Sequence, residues 1–467
     1  MKILLVNAIE PRRHFQHEPG LGLAYLAAFI RQRRPNAQVR IAIRQVAAEI
    51  ADFAPDFIGI SSVSENFDRA KAIASLAKRH GLPVVIGGAH ITALPQTLPP
   101  EMDIGVIGEG EETLLELTDT LDGHGWTPAV LSQVAGIVFH TDGGPCVTTP
   151  RPVIEALETI PPPARDLLPI EKGGTVTMLS SRGCPYKCVF CSSTRFWNKM
   201  RMFSAEYVVR EMGQVLSDYR PSHISFVDDL FVASRPRLRR LADLIEQRGI
   251  HRRVELSVSC RANLVDEELA RLLRRMNVVL AWIGLESGSE AVLEYLKGGN
   301  VSVADNERAV ETLSRAGLEV HGTFVIGAPR EASADIEATY DFIKRSALAD
   351  FCVYPLSPLP GTPLWDYALQ RGLVSEDMEW GRLNYETVGQ ANISLSELVS
   401  RDEMAHFFSM FSGERKRRRR RRFWRRCLPH LFAQLYRRPH RIVPWLRKRL
   451  AGRWGHGQSS TTRMTRG

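Results

Sequence analysis

Three cysteines fall within eight residues of one another, and their spacing limits what this chain can be more than any other feature does. Cys184, Cys188 and Cys191 are separated by three and then two residues, shortly after an apolar run at 175–179 that is typical of a strand. A glycine and a proline in the same stretch favour a loop, which lets the sulfurs converge. Thiolates select soft metals and iron–sulfur clusters. A four-iron cluster normally takes four thiolates, so three leave one iron open to a substrate or cofactor.

Two other interpretations compete with an iron–sulfur site. A zinc site usually takes a fourth Cys or His at ligand spacing, and the nearest downstream histidine is His223. The three thiols could also be unrelated. Cysteine is rare, however, with seven in 467 residues, and three of the seven lie in this one segment. Spacing and ligand number therefore favour the cluster.

The pattern Cys-x3-Cys-x2-Cys, with Phe190 just before the last cysteine, resembles the signature of the radical S-adenosylmethionine (SAM) superfamily. In that family the amino and carboxylate groups of SAM chelate the open iron. The resemblance implies that Cys184, Cys188 and Cys191 hold a [4Fe–4S] cluster and that Phe190 lies near the adenine of SAM. It also implies an external electron donor, such as a flavodoxin or a ferredoxin.

In residues 1–150, strand-like apolar runs alternate with segments of helical periodicity. This alternation predicts a parallel sheet with helices on both faces, and ligands bind such sheets at the carboxyl ends of the strands. The predicted strands are 3–6, 39–43, 57–60, 83–86 and 104–107, and the predicted helices are 21–31, 70–79 and 111–121.

Glycines and polar residues follow three of these strands, where a ligand would lie. Each loop alone is as consistent with a simple turn, and the histidine among them with a satisfied loop residue. Together with the stretch 19–27, their order resembles the cobalamin-binding domain that precedes the radical SAM domain in one large subclass. The resemblance implies that cobalamin contacts Ser61, Ser62, Gly87, Gly88, His90, Gly108 and Glu109.

One motif of many cobalamin domains is missing. Asp-x-His-x-x-Gly, whose histidine ligates cobalt, does not occur, and residues 40–50 contain no histidine. Two interpretations stay open. Cobalamin binds without a histidine ligand, or the domain has lost cobalamin and serves as a scaffold.

A proline-rich connector leads into a second alternating region. Residues 142–144 predict a hairpin turn between strands at 135–140 and 146–147, and the connector occupies 151–172. Residues 173–370 then predict six strand–helix units, hence a partial (β/α)6 barrel of the TIM type, with its active site at the carboxyl ends of the strands. The predicted strands are 175–179, 223–227, 255–260, 278–283, 320–326 and 349–356.

Acidic and basic side chains stand at the ends of barrel strands two and three. Asp228 and Asp229 resemble an acidic pair of this subclass near the methionyl group of SAM, although a solvated turn is the alternative. Arg261 is a candidate for the SAM carboxylate, because guanidinium groups bind carboxylates through two parallel hydrogen bonds. Its alternative is an ion pair with Asp266 or Glu267.

Strands four to six complete the resemblance. Glu286 and Gly288 look like the family's ribose motif, and Gly327 ends a strand resembling the one that packs against adenine. The turn at 360–363 reads Pro-Gly-Thr-Pro, which is common in this subclass. With the cysteines, these motifs span 175–365 in family order.

The positive charge of the chain is concentrated at its end. Residues 413–467 hold 19 of the 61 Lys and Arg and one of the 52 acidic residues, so the other residues carry a net charge of −9. The run 417–422 is typical of a solvated, disordered segment. Arginines alternating with aromatic and aliphatic residues beyond it suit an amphipathic helix on an anionic membrane. Nucleic acid is a less favoured partner, and a merely solvated tail remains open.

Two further predictions concern the carboxy-terminal third and the location. Residues 371–412 are predicted to be mostly helical. The chain lacks a stretch of about 18 uncharged apolar residues and a secretion signal, and its thiols are scattered, which together predict a cytoplasmic protein. Peripheral attachment to a membrane through the tail is compatible with that location.

The resemblance as a whole implies a cobalamin-dependent radical SAM enzyme, most simply a methyltransferase acting on an unactivated carbon of a small or hydrophobic molecule. One alternative is an oxidative cyclase or rearrangement enzyme that transfers no methyl group. Another is a cobalamin- or cluster-dependent sensor with the basic tail as its output. No residue stands out as a catalytic acid or base.

Overall fold

The computed structural model describes residues 1–8, 20–384 and 393–437, with side chains described as far as 423. The described residues up to 147 form a seven-stranded sheet and its helices. The strands are β1 Lys2–Asn7, β2 Gln38–Ala42, β3 Phe57–Ser61, β4 Val84–Gly87, β5 Ile104–Val106, β6 Ile137–Thr141 and β7 Gly144–Val147. The helices are α1 Leu21–Arg33, α2 Val46–Phe53, α3 Phe67–Arg79, α4 Ala89–Ala93, α5 Glu111–Gly123 and α6 Pro128–Leu131.

The strand order of this sheet is β2-β1-β3-β4-β5-β6-β7. The first five strands are parallel, and β1 and β3 are buried along most of their length because helices cover both faces. Strands β6 and β7 are antiparallel to their neighbours, which confirms the hairpin predicted at 142–144. The turn between β6 and β7 is too short for a crossover, and a tight hairpin joins only antiparallel strands.

Residues 175–355 form a six-stranded parallel sheet in the order β15-β14-β13-β12-β11-β8. No strand pairing closes it among the described residues, which confirms the partial barrel. Its strands are β8 Thr175–Met178, β11 His223–Phe226, β12 Glu255–Cys260, β13 Val278–Glu286, β14 Glu319–Ile326 and β15 Asp350–Pro355, and a small antiparallel pair beside it is β9 Ser181–Arg182 with β10 Arg201–Met202.

Helices cover the outside of this barrel. Their apolar faces share one core with the strands, and side-chain caps begin several of them, as at Ser204 and Asp266. The helices are α7 Ser193–Trp197, α8 Ala205–Asp218, α9 Arg235–Gln247, α10 Glu267–Arg275, α11 Glu290–Lys297, α12 Val303–Arg315, α13 Ser333–Arg345 and α14 Pro363–Gln370.

The two sheets belong to one packed body, residues 1–411. A single apolar cluster joins α3 and β4 of the first sheet to α11 and α14 of the barrel. Trp380, which follows the barrel in sequence, packs into the same cluster, and its backbone N–H donates to Asp68 at 2.7 Å. This shared packing fixes the position of one sheet relative to the other.

The prediction of a mostly helical segment at 371–412 is wrong for its first part. Among the described residues, 371–384 contain only a short 3-10 helix at Trp380–Leu383, and 393–400 contain none. Gly372, with φ +65°, ends the preceding helix, and the apolar residues that follow pack as a loop against the first domain. Helix α15, Arg401–Arg437, comes after this loop.

The arginine run 417–422 lies within α15, where the sequence predicted disorder. The aromatic and basic residues beyond 437, on which the membrane prediction mostly depends, lie outside the described residues. None of the helices in the described part of the chain is long and apolar enough to span a bilayer.

Candidate active site

The cysteine segment begins at the small β9–β10 pair and runs over the end of the barrel. Gly183, with φ +83°, makes the turn into it, and a Cβ there would lie 2.7 Å from the carbonyl oxygen of Lys199. Cys184, Cys188 and Cys191 are all half-buried. Glycine is thus required at 183, because any side chain would push the first cysteine away from the barrel.

The donor set fits an iron–sulfur cluster. Burial raises the pKa of Cys184, and raises that of Cys191 to about 11, so these thiols need a bound metal to become thiolates at neutral pH. Among the described residues, no three His, Cys, Asp or Glu side chains surround a point that a single metal ion would occupy. A four-iron cluster binds each thiolate at a different iron, and its cysteines need no such common point.

Arg261 lies directly against the cysteines. Its Nη1 is 3.5 Å from Sγ of Cys188, and its guanidinium lies 3.8 Å from the centre of the Tyr186 ring. The side chain is buried, yet Nε and Nη2 have no hydrogen-bond partner. Two unpaired N–H groups on a buried guanidinium that lies against the cysteine segment and has no carboxylate partner fit a carboxylate ligand such as that of SAM.

The alternative ion pair for Arg261 is not formed. Asp266 caps α10 by accepting from the backbone N–H of Leu269 at 2.7 Å, and it pairs with Arg235 at 3.0 Å. The other acidic neighbour in sequence, Glu267, faces Arg315 at 3.7 Å.

The two adjacent aspartates have different surroundings. Asp228 is buried, and it accepts hydrogen bonds from the backbone N–H of Ser180 at 2.7 Å and from the hydroxyls of Ser180 and Ser181. Burial raises its pKa in spite of these donors. Asp229 is exposed and accepts from the hydroxyl of Ser193, at the start of α7. Asp228 thus anchors the start of the cysteine segment, whereas the carboxylate of Asp229 faces the site.

Glu286 ends β13 in an unusual conformation. Its φ of +63° lies in the left-handed region, at an irregularity in the pairing with β14. The carboxylate is buried, with Oε1 3.3 Å from Nζ of Lys297, which also donates to the carbonyl oxygen of Gly284. Sequence reasoning gave Lys297 no role. The signal that could have found it is a lysine that ends the helix directly after a predicted site acid.

Gly288 is required for packing. A Cβ there would lie 2.7 Å from the carbonyl oxygen of Ala338 in α13, and its N–H donates to Thr339 at 2.9 Å. The glycine lets α13 approach the β13 end closely. Its predicted contact with ribose stays a prediction.

Gly327 follows β14 with φ +97°, and its N–H donates to Oε2 of Glu331 at 2.5 Å. The same oxygen accepts from Ala328 at 3.0 Å, while Oε1 is buried without a partner. Burial raises the pKa of Glu331 to about 7. Glu331 thus shapes the loop predicted to face adenine, and sequence reasoning missed it. Phe190 is half-buried, and the backbone N–H of its neighbour Val189 donates to the carbonyl oxygen of Leu296 at 3.1 Å.

At the carboxyl edge of the first sheet, backbone segments lie close together. Gly88 has φ +107°, and a Cβ there would lie 2.3 Å from the carbonyl oxygen of Ser62. The Ser62 hydroxyl is buried and donates to Val63. By contrast, Ser61 and Gly87 are partly exposed, and a Cβ on Gly108 would meet nothing within 4 Å. This edge therefore offers backbone and small side chains to a large flat ligand.

His90 is a core residue. It is fully buried, its Nδ1 lies 3.1 Å from the hydroxyl of Ser64, and its Nε2 lies 3.1 Å from that of Thr97. Its ring stacks on Phe67 with centroids 3.7 Å apart. Burial lowers the pKa of His90 to about 3, so the ring stays neutral. Both ring nitrogens are engaged, which leaves none to bind cobalamin.

Glu109 is also engaged elsewhere. Its Oε1 is 2.6 Å from Nη1 of Arg182, and its Oε2 is 2.6 Å from Nη1 of Arg201 and 2.9 Å from the backbone nitrogen of Ile154. Burial opposes its ionisation, but the hydrogen bonds from Arg201 and Arg182 outweigh it and lower the pKa of Glu109. These contacts occupy both carboxylate oxygens of Glu109.

The structure thus brings together the three cysteines, Asp229 and Arg261. Both of these charged groups lie close enough to Cys184 to affect its pKa. Asp228, His90 and Glu109 are occupied by protein partners.

Comparisons with known proteins agree with this arrangement. The family model described as Radical SAM superfamily matches residues 178–343, and that described as B12 binding domain matches residues 15–118. An uncharacterized methyltransferase of Pyrococcus horikoshii, PH0819, is 32% identical over 79% of this chain and 82% of its own. The cytidylyl-2-hydroxyethylphosphonate methyltransferase of Streptomyces wedmorensis is 25% identical over 80% of this chain and 77% of its own.

Among solved structures, the radical SAM methyltransferase TsrM of Kitasatospora setae, with tryptophan and a SAM analogue bound, superposes with a TM-score of 0.65. The match covers 80% of this chain and 77% of that one, at 19% identity. It shows that the two chains share a fold.

Proposed function

The chain belongs to the family of cobalamin-dependent radical SAM methyltransferases, and we propose that it methylates an unactivated carbon of a small or hydrophobic metabolite. When bound, the cofactors supply a 5′-deoxyadenosyl radical that removes a hydrogen atom from the substrate and a methyl group that replaces it. The observation that carries the proposal is the pair of unpartnered, buried guanidinium N–H groups of Arg261 beside the cysteine segment.

Different residues would bind the cluster and the methionyl part of SAM. Cys184, Cys188 and Cys191 hold the cluster. Arg261, which contacts Cys188 through Nη1, would bind the carboxylate of SAM through Nε and Nη2. Asp229, exposed on the same rim, accepts from the ammonium group.

The residues proposed to bind the rest of SAM include two at the ends of later strands. Glu286 would bind the ribose hydroxyls. Gly327, whose N–H donates to Glu331, and Phe190 would contact the adenine. The partly exposed edge formed by Ser61, Gly87 and Gly108 would hold cobalamin, and the ring of His90 would not ligate it, since both ring nitrogens are engaged. No step needs a general base from the chain.

Anaerobic reconstitution tests this function. The full chain is loaded with iron, sulfide and hydroxocobalamin, and then given SAM carrying a labelled methyl group and a strong reductant. We expect cluster and corrinoid absorbance together with 5′-deoxyadenosine, and label on cobalamin. Cleavage of SAM with no label on cobalamin would favour the cyclase or rearrangement alternative. Binding of both cofactors with no cleavage of SAM would favour a sensor.

The electron donor in this proposal is a flavodoxin or a ferredoxin.

The basic tail attaches the enzyme to an anionic membrane surface. The support for this attachment is the concentration of 19 Lys and Arg in residues 413–467. Co-sedimentation of the full chain with phosphatidylglycerol vesicles, but not phosphatidylcholine vesicles, is expected, and deletion of 413–467 should abolish it. Equal sedimentation of both forms would refute attachment through the tail. Binding to a short DNA duplex but not to vesicles would favour nucleic acid instead.

A further inference from the structure

Glu109 stands where the two sheets of the molecule meet. It lies in the loop between β5 and α5, at the carboxyl edge of the first sheet. Arg182 is on β9, two residues before Cys184, and Arg201 faces it on β10 in antiparallel register. One carboxylate at the carboxyl edge of the first sheet thus binds both strands that flank the cysteine segment, β9 before it and β10 after it.

The contacts are direct and buried. The side chains of Glu109, Arg182 and Arg201 are 6%, 3% and 5% exposed. Glu111, at the start of α5, adds a second pair, with Oε1 2.5 Å from Nη2 of Arg182. Two carboxylates therefore face two guanidinium groups, and the charges balance.

The same carboxylate also fixes the connector between the domains. The N–H of Ile154 donates to Glu109 at 2.9 Å, and Arg201 donates to the Ile154 carbonyl at 2.6 Å. Three segments that are distant in sequence converge here: the β5–α5 loop, the connector and the β9–β10 pair.

Buried ion pairs of this kind fix the relative position of the segments they join more than they stabilise the folded protein. Apolar side chains of similar volume often give equal or greater stability, because desolvation offsets the attraction between buried charges. Hydrogen-bonded charge pairs, however, are satisfied in one relative placement of the two sheets, whereas an apolar contact tolerates sliding. Methyl transfer needs such a placement, since misplacement by about 1 Å can reduce a rate about 100-fold.

We infer that Glu109 is a positioning residue that locks the cysteine segment to the cobalamin-binding edge and so sets the separation of the two cofactors. The inference rests on the proposed function for its purpose. The lock itself is a property of the protein without cofactors.

The test compares Glu109→Gln and Arg201→Gln with a matched control, Glu155→Gln, which removes an exposed ion pair to Lys199 close by. Hydrogen exchange of the cofactor-free chain is measured by mass spectrometry. We expect exchange at least tenfold faster in peptides covering 104–112 and 180–202 of both test variants. Exchange elsewhere, and throughout the control, should match the wild type. Unchanged exchange in those peptides, or an equal rise in all peptides, would overturn the inference.

A second measurement uses the reconstituted chain. In Glu109→Gln we expect iron and cobalamin contents equal to those of the wild type and continued formation of 5′-deoxyadenosine. Transfer of methyl from SAM to cob(I)alamin should fall about tenfold to 100-fold. Equal loss of both reactions would contradict a positioning role. If the wild type itself shows neither reaction, the proposed function fails, while the exchange data still report on the lock.

Discussion

The guanidinium of Arg261 lies 3.8 Å from the ring of Tyr186 and 3.5 Å from the sulfur of Cys188, and no carboxylate in the described part of the chain neutralises it. The guanidinium therefore lies between an aromatic ring and a thiol, and two of its N–H groups have no hydrogen-bond partner. A ligand that supplies a negative charge and two acceptors would stabilise this buried cation.

Replacing Arg261 should affect SAM and leave the cluster intact. In Arg261→Gln we expect SAM to bind at least about tenfold more weakly, since a charge-assisted pair contributes about 1.5–3 kcal/mol. Iron content after reconstitution should be unchanged. Equilibrium dialysis with labelled SAM measures the affinity. The matched control is Arg275→Gln, at an exposed pair with Asp243 and Glu246, and normal SAM affinity in Arg261→Gln would contradict the assignment.

Lys297 should prove critical because its partner is buried. Lys297→Met leaves the carboxylate of Glu286 without a counter-charge, and such changes destabilise by about 3–5 kcal/mol. Chemical denaturation followed by circular dichroism measures the loss. The double variant Lys297→Met, Glu286→Gln should recover part of it. If the double variant is less stable than the single one, the two side chains are not coupled as described.

The buried His90 predicts a pH dependence of stability. Its pKa in the folded state is about 3, below the usual 6.5, so below pH 6.5 the unfolded chain binds a proton that the folded chain does not. Stability should therefore fall as pH drops from 6.5 toward 3, by up to about 1.4 kcal/mol per pH unit from this residue.

Urea denaturation at several pH values isolates this effect. His90→Asn should be less stable than the wild type at pH 7, because packing is lost, but less sensitive to acid. The exposed His80→Asn serves as control and should follow the wild type. Parallel pH profiles for His90→Asn and the wild type would show that burial does not keep the ring neutral.

A methyl group on Gly88 should disrupt the edge of the first sheet. The Cβ of Gly88→Ala would lie 2.3 Å from the Ser62 carbonyl oxygen at a φ of +107°, so we expect a loss of several kcal/mol and of hydroxocobalamin binding. The control is Gly213→Ala, inside α8 with nothing within 4 Å of its Cβ. It should stabilise by about 0.5–1 kcal/mol. Thermal unfolding compares the two, and equal behaviour would refute the crowding at Gly88.

Sequence periodicity and motif order predicted most of the fold and the heart of the site. Five strands of the first sheet and all six of the barrel lie where alternation placed them, because their apolar runs are buried by the helices between them. The cysteine segment followed from local spacing, and Arg261 from its place after the third strand of the barrel. The residues missed are those whose meaning depends on distant partners, such as Lys297, Glu331 and the pair Arg182 and Arg201.

Distant partners also act on residues that the sequence placed correctly and on one segment that it predicted wrongly. Glu109 and His90 were placed correctly at strand ends, but their partners lie in other segments, and these occupy both side chains. Residues 371–384 contain apolar positions that suit a helix by spacing. They pack instead as a loop against the first domain, where Asp68, more than 300 positions earlier, accepts from the backbone N–H of Trp380.

The placement of Trp380 has a consequence for how the protein is made. Its ring meets His90 edge-on at 4.3 Å and stacks on Trp365 at 5.8 Å, so residues beyond the barrel complete the core of the first domain. A ribosome releases the chain from its amino terminus, and domains usually fold as they emerge. The apolar face of the first domain that Trp380 covers therefore stays exposed until residues near 383 have left the ribosome. Chaperones that bind nascent apolar surface should therefore stay on this chain through most of its synthesis.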